Sequence, residues 1–277
     1  MSEEPVQKIH QIAFIGGGNM ACAIIGGLVR QGTRPMDVLV VEPYAEQQAK
    51  LKQEFGIEAF NAPNAMLAQA SLVVWAVKPQ TFKVAAAQAR AHTQQALHFS
   101  VAAGIRSGTI AQWLGTERVV RSMPNTPALI GKGITALYPR PAVSEHDRAA
   151  VERVISATGE YLWLTEEAHI DAVTALSGSG PAYVFYFIEA MVQAGVDMGL
   201  PPEQAAQLAK ATFTGASELA KNSIDSPAIL REKVTSKGGT TYAALTSMEQ
   251  DNVGMMFMRA MHAARRRAAE LGDEFGA

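Results

Sequence analysis

Four apolar residues, Ile12-Ala13-Phe14-Ile15, run straight into Gly16-Gly17-Gly18-Asn19-Met20-Ala21, and Ala21, Ile24, Ile25 and Leu28 then recur at helical spacing. No other stretch restricts the chain so tightly. An apolar strand that turns on glycines into an amphipathic helix opens a β-α unit, and it points the chain toward layered α/β architecture. Gly16, Gly18 and Ala21 stand in the pattern G-x-G-x-x-A. Gly16 lets the backbone turn sharply after the strand. Gly18 leaves room for a pyrophosphate to approach the backbone, and Ala21 lets the helix pack close to the strand. The helix N-terminus offers free N–H groups and the positive end of its dipole to phosphates. The stretch from Ile15 to Ala21 is therefore expected to bind a dinucleotide, against the plainer reading of a structural tight turn.

The rest of the N-terminal half repeats that alternation. Val38 to Val41 is a continuous apolar run, as a strand buried on both faces requires. Glu42 closes it, and Ala45 to Phe55 reads as a helix. Leu72 to Val77 forms the next strand, closed by Lys78-Pro79, and a helix follows from Thr81 to Thr93. Leu97 to Ala102 is a fourth strand ending in Ala103-Gly104. A short helical turn over Ile110 to Leu114 leads to a fifth strand, Val119 to Arg121. Further strands are expected over Ile134 to Tyr138 and Tyr161 to Leu164, with a helix from Ser144 to Thr158 between them. Such alternation predicts a mostly parallel sheet covered by helices. Ligands in these sheets sit beyond the strand C-termini, so Gly16 to Ala21, Glu42, Ala76-Val77-Lys78-Pro79 and Ala102-Ala103 share one edge. Lys78 there either touches ribose or phosphate, the reading preferred, or is a solvated lysine. Asn125 and Thr126 of Met123-Pro124-Asn125-Thr126-Pro127 either face the same cleft or close a turn.

Past Thr165 the strand signal fades. Glu166–Leu176, Pro181–Met198, Pro202–Lys221, Pro227–Val234, Thr241–Gln250 and Val253–Leu271 all carry helical spacing. Two domains are expected, 1–164 and 165–277. The net charge of −2, from 24 basic and 26 acidic residues, excludes an electrostatic nucleic-acid binder. Pro181 to Leu200 is the most apolar long segment, but Glu189 and Asp197 interrupt it, so it reads as a buried helix rather than a membrane span. Cys22 is the single cysteine, which fits a reducing, cytoplasmic setting, and the polar opening Met1-Ser2-Glu3-Glu4-Pro5 does not read as a signal peptide. The six histidines share no metal-ligand spacing, and no metal site is expected.

Two glycine-rich turns open helices in the second half: Ser177-Gly178-Ser179-Gly180-Pro181 and Ser236-Lys237-Gly238-Gly239-Thr240-Thr241. Small hydroxyl and glycine residues can be ordinary caps or can form an anion pocket from backbone N–H groups. The second turn, with two glycines and two threonines, exceeds what a cap requires and is read as a carboxylate site.

Five stretches together resemble the pyrroline-5-carboxylate reductase family: Phe14 to Ala21, Ala76 to Pro79, Arg121 to Pro127, Ala175 to Phe185, and Val234 to Thr241. The last two are far more specific than the first. The resemblance implies a Rossmann domain followed by an all-helical dimerisation domain, with NADPH or NADH as reductant. It implies that the turn from Ser236 through Gly238, Gly239 and Thr240 to Thr241 cradles the substrate carboxylate through the N–H groups of Gly239 and Thr240, and that the Thr241 hydroxyl bonds the ring nitrogen. Many relatives carry proline where this chain has Lys237. A protonated cyclic imine is already electrophilic, so the cofactor's hydride and a hydrogen-bonding hydroxyl suffice, and no catalytic histidine is needed.

For the cofactor the residues and the resemblance pull apart. Glu42 ends the second strand about 20 residues past the glycine turn, where an acidic residue usually bonds the ribose 2′-hydroxyl. The resemblance leans to NADPH, with Asn64 as a phosphate contact; both cofactors are expected to work, with a slight lean to NADPH. The helix from Pro181 to Leu200 is apolar nearly all round, which predicts an intertwined homodimer and, by resemblance, a ring of dimers. One rival is another imine or 3-hydroxyacid oxidoreductase. The latter family uses a lysine and an asparagine on the long central helix, where this chain has Val184 and Ile188. The other rival is a non-catalytic dinucleotide sensor, which needs no carboxylate pocket.

Overall fold

The computed structural model describes residues 11–276. The chain forms two compact units: Ser179–Ala264, and the remainder, to which the chain returns at Arg265.

The first unit is built on a seven-stranded sheet in the order β2-β1-β3-β4-β5-β6-β7. Its strands are β1 (Ile12–Ile15), β2 (Val38–Val41), β3 (Leu72–Trp75), β4 (Leu97–Ser100), β5 (Val119–Met123), β6 (Gly133–Pro139) and β7 (Gly159–Trp163). Helices α1 (Asn19–Arg30), α2 (Ala45–Phe55), α3 (Pro79–Ala89), α4 (Ser107–Leu114), α5 (Glu145–Ile155) and α6 (His169–Val173) complete it. Pairing is parallel from β2 to β5 and again between β6 and β7, while β5 and β6 run antiparallel. The reason lies in chain length. Between β5 and β6 the chain has only residues 124–132, with a 3-10 turn over Thr126–Ile130, which is too short for the dozen or more residues of a parallel crossover.

Strand alternation divides the core into two layers. Ile12, Phe14, Val38, Val40, Leu72, Val74, Leu97 and Phe99 pack with Ile24, Ile25 and Leu28 of α1 and Val151, Val154 and Ile155 of α5. Ala13, Ile15, Leu39, Val41, Val73 and Trp75 pack on the opposite face with Phe82 and Ala86 of α3 and Ile110 and Leu114 of α4. Both faces are covered, so β1, β2 and β3 can be apolar at every position. Each large side chain removed from water contributes about 1.5–3 kcal/mol. Helix α5 starts on a capping box in which Ser144 accepts from the Asp147 N–H and Asp147 from the Ser144 N–H.

The second unit is helical: α7 (Gly180–Asp197), α8 (Pro202–Asn222), α9 (Pro227–Lys233), α10 (Thr240–Gln250) and the start of α11 (Val253–Glu274). Gly195 lets α7 approach α8 closely, since a Cβ there would stand 2.9 Å from Ala205 Cβ. Within α7, α8, α9 and α10 only Gly195, Ala205 and Ala209 are buried. Phe185 and Tyr186 are 64 % and 69 % exposed, and Leu208, Leu219, Met255 and Met256 are exposed as well. A helix apolar nearly all round is thus left largely uncovered within one chain.

The helix expected over Glu166–Leu176 is divided. Helix α6 ends at Val173 and the chain continues as a π-helical turn, Thr174–Gly178. The Asn125 side-chain amide donates to the Ser177 carbonyl, and a Cβ on Gly178 would meet Met123 Cε at 2.4 Å. The wider turn thus lies on the Met123–Asn125 segment.

Candidate active site

The C-terminal ends of β1, β2 and β3 converge on the glycine turn. The Gly16 N–H donates to the Val41 carbonyl at 2.8 Å, and the Ala76 N–H to the Ile15 carbonyl at 2.9 Å, so the turn leaves the sheet with its first amide engaged. Gly16 has φ of +98°, and a Cβ there would stand 2.6 Å from the Ala76 oxygen. Only glycine fits both conditions. Gly18 differs: it caps α1 in an extended conformation, no side chain caps the helix, and a Cβ would meet nothing within 4 Å. The open space at Gly18 and the uncapped N–H groups of α1 suit a pyrophosphate.

A pocket of about 530 Å³ opens at this edge. The structure brings Ile15, Gly16, Gly18, Glu42, Ala76, Val77 and Lys78 together on its lining. Gly17, Asn19, Met20, Ala21, Pro79, Ala102, Ala103 and Asn64 are not on that lining. Gly17 acts from behind, its N–H donating to Glu42 Oε2 at 2.8 Å. Ala21 and Ala102 are buried, and Pro79 opens α3 with Lys78 as the preceding cap residue. Asn64 caps the 3-10 turn Ala65–Gln69 by accepting from the Met66 N–H at 2.9 Å. Tyr44, Gln47, Asn61 and Thr81 also line the pocket. No motif marks them. The signal available was their position, just after Glu42, before the 3-10 turn and in the first turn of α3.

Glu42 is 6 % exposed, and its second oxygen accepts the Tyr44 N–H at 2.9 Å. The dinucleotide fits this residue set: a glycine cradle, an uncapped helix start and a carboxylate at the end of β2.

Asn125 resolves in favour of closing a turn. Its Oδ1 accepts from the Ile134 N–H at 3.0 Å while its amide holds Ser177. A second network links β5 to α6. Arg121 is 3 % exposed and donates to Glu167 Oε1 at 2.9 Å, and Glu167 also accepts from the Ser107 N–H and hydroxyl, both at 2.6 Å. Although burial opposes it, hydrogen bonds from Ser107 and Arg121 hold the Glu167 carboxyl below its ordinary value. Cys22 is buried, with its thiol donating to the Gly17 carbonyl, and burial raises its pKa. Neither Arg121 nor Cys22 lines the pocket. Among the described residues, no group of three or more His, Cys, Asp or Glu could hold a metal ion, and no helix is long and apolar enough to cross a membrane.

In the helical unit the Ser236–Thr241 turn has its own geometry. Gly238 takes φ of +76°, and the Gly239 N–H donates to the Ser236 carbonyl at 3.0 Å. Gly239 is the N-cap of α10, no side chain caps that helix, and Thr240 and Thr241 are its first two residues. The N-terminal N–H groups of an α-helix have no partner within the helix.

Comparison with known proteins bears on both units. A family model described as pyrroline-5-carboxylate reductase dimerisation matches residues 167–271, and one described as NADP oxidoreductase, coenzyme F420-dependent, matches 11–104. The chain is similar to the pyrroline-5-carboxylate reductase of Pseudomonas aeruginosa, at 44 % identity over 96 % of this chain and 98 % of that one. It is 35 % identical to the Arabidopsis thaliana protein of the same name, over 95 % and 96 % of the two chains. Among solved structures, a pyrroline-5-carboxylate reductase from Coxiella burnetii superposes with a TM-score of 0.89 at 35 % identity, covering 95 % of this chain and 99 % of that one. The Plasmodium falciparum pyrroline carboxylate reductase with NADP bound gives a TM-score of 0.84 at 28 % identity, over 95 % and 98 %.

Proposed function

The chain belongs to the pyrroline-5-carboxylate reductase family, and on that premise we propose how its own residues carry the reaction. The activity is reduction of 1-pyrroline-5-carboxylate to L-proline with NAD(P)H, the final step of proline synthesis. The observation that carries the assignment is near-complete coverage at 44 % identity, joined to a glycine-turn pocket with an open Gly18.

Bound nicotinamide supplies the hydride, and the rest falls to the protein. Ile15 to Ala21, Glu42, Ala76 to Pro79, Ala102 and Ala103 form the cofactor-binding set, while Asn64 is taken up by capping the 3-10 turn Ala65–Gln69. The pocket geometry supports Ile15, Gly16, Gly18, Glu42 and Ala76 to Lys78 as wall residues. Ser236, Gly238, Gly239 and Thr240 receive the substrate carboxylate at the start of α10. The uncapped N-terminus of that helix and its dipole support the role. Since the Gly239 N–H already serves the Ser236 carbonyl, the carboxylate draws on the N–H of Thr240 and those that follow. Lys237 adds a positive charge beside the anion. The Thr241 hydroxyl hydrogen-bonds the ring nitrogen and strengthens that bond as the charged amine forms.

The protein works as a homo-oligomer. We assign the dimer contact to the helical domain, 165–277, after a dinucleotide domain of 1–164, a division supported by the family model's start at residue 167. The exposed apolar residues of α7 support the dimer contact there. A ring of dimers in the cytoplasm completes the proposal.

Thr241→Ala tests the catalytic role. A hydrogen bond to a charged group is worth about 1.5–3 kcal/mol, so kcat/KM should fall about 10- to 150-fold. Cofactor affinity and melting temperature should hold, and Thr241→Ser should retain most activity. Normal kcat/KM with a lowered melting temperature would reduce Thr241 to a structural residue of α10.

A further inference from the structure

We propose that Glu42 reads the adenosine ribose and makes this chain bind NADH in preference to NADPH. The inference rests on the glycine-turn pocket being the dinucleotide site, and it reverses the lean to NADPH that the family resemblance carries. Glu42 directly follows the last residue of β2, the place from which an acidic side chain reaches a ribose 2′-hydroxyl. Here the carboxylate is not a loose surface group. It is 6 % exposed, it lines the pocket, and two backbone N–H groups hold it, Gly17 at 2.8 Å on Oε2 and Tyr44 at 2.9 Å on Oε1. One anchor belongs to the glycine turn and the other to the residue before α2. Swinging the carboxylate away from a 2′-phosphate would strip both amides of their acceptor.

Each carboxylate oxygen has two lone pairs, so both can still accept from a ribose hydroxyl while engaged by the backbone. A 2′-phosphate has no hydroxyl proton to give in that place and carries about −1.5 to −2 charge near neutrality, as other phosphomonoesters do. It would face a fixed negative charge. The neighbouring wall does nothing to offset this: Pro43, Tyr44, Gln47, Asn61 and Pro63 are all uncharged. Among the lining residues the one cation is Lys78, which follows β3, and β1 separates β3 from β2 in the sheet. Asn64, the residue expected to meet a phosphate, lies off the lining with Oδ1 engaged by Met66.

The experiment is a binding titration of the purified protein with NADH and with NADPH, backed by competition with 5′-AMP and adenosine 2′,5′-bisphosphate as probes of the ribose subsite alone. The wild type should bind NADH at least about tenfold more tightly, the scale of an unfavourable like-charge contact, and 5′-AMP should outcompete the bisphosphate. Glu42→Ser should bring the two dissociation constants together. Tyr44→Arg leaves the Glu42 anchors in the backbone and adds a cation on the pocket wall, so it should shift the ratio of the two dissociation constants toward NADPH; this variant decides the matter if Glu42→Ser does not fold. Equal or tighter NADPH binding by the wild type overturns the inference and leaves the dinucleotide site standing. So does a ratio that neither substitution moves. If neither nucleotide binds, the pocket assignment falls and the inference with it.

Discussion

Gly16 and Gly18 stand two residues apart, and the structure gives them opposite responses to a single added side chain. At Gly18 the backbone is extended, with φ of −68° and ψ of −171°, and a Cβ meets nothing within 4 Å. Gly18→Ala should therefore leave stability nearly unchanged. Loss of a glycine's unfolded-state freedom favours the fold by about 0.4–1 kcal/mol, which offsets the poorer N-cap. Gly18→Val adds bulk to the open space where the pyrophosphate is expected. Losing one or two amide bonds to a phosphate, at about 1.5–3 kcal/mol each, weakens nicotinamide binding by about 10-fold or more. At Gly16 the costs fall on folding instead. An alanine there takes a positive φ, at about 1–2 kcal/mol, and also drives Cβ to 2.6 Å from the Ala76 oxygen. The sum is a loss of about 3 kcal/mol or more, enough to lower the melting temperature by several degrees. Thermal melts and cofactor titrations on the same three preparations read both effects. A Gly18→Val protein that melts normally and binds NADH or NADPH like the wild type would refute the placement of the pyrophosphate.

Acid should destabilise the fold through His98. This side chain is 1 % exposed, accepts from the Trp75 indole N–H at 3.0 Å, and is pushed down to about 4, chiefly by burial. Its folded pKa lies below its unfolded value, so the unfolded chain takes up the proton first. Stability is full above about 6.5 and declines toward pH 4, by on the order of 3 kcal/mol. His98→Gln should flatten that slope in melts across the window, and an unchanged slope would place the acid response elsewhere. Light scattering at assay concentration should find an oligomer, and Phe185→Glu with Tyr186→Glu should shift it toward smaller species; an active monodisperse wild-type monomer would contradict the dimer contact.

The strands were legible because the sheet is covered on both faces. Val38–Val41 and Leu72–Trp75 have no solvent side, so they are written as unbroken apolar runs. The same property blurred an end: Ala76 and Val77 continue the apolar run of β3, yet leave the sheet and line the pocket. The reversal at β6 was not legible because strand ends expected at Arg121 and Ile134 leave about a dozen residues between them, enough for a parallel crossover, whereas β5 runs on to Met123 and β6 begins at Gly133. The division of the 166–176 helix depends on Asn125, a residue about 50 positions away, meeting the Ser177 carbonyl. The glycine turn and Glu42 could be placed from spacing alone, because turn, strand end and phosphate impose their requirements locally. Gln47 and Asn61 reach the pocket through the fold, as ordinary polar residues of a helix and a loop. Of the helical unit, the need for a covering partner was the clearest signal, since α7 carries far more apolar residues than its one narrow polar stripe, Glu189, Gln193 and Asp197, can turn to water.

Turnover by the purified wild-type protein tests the assigned reaction directly. With 1-pyrroline-5-carboxylate and reduced nicotinamide, one L-proline should form for each nicotinamide oxidised, with deuterium from a 4-deuterated cofactor appearing on the proline ring carbon of the former imine. A protein that binds the nicotinamide but leaves the imine unreduced would contradict it.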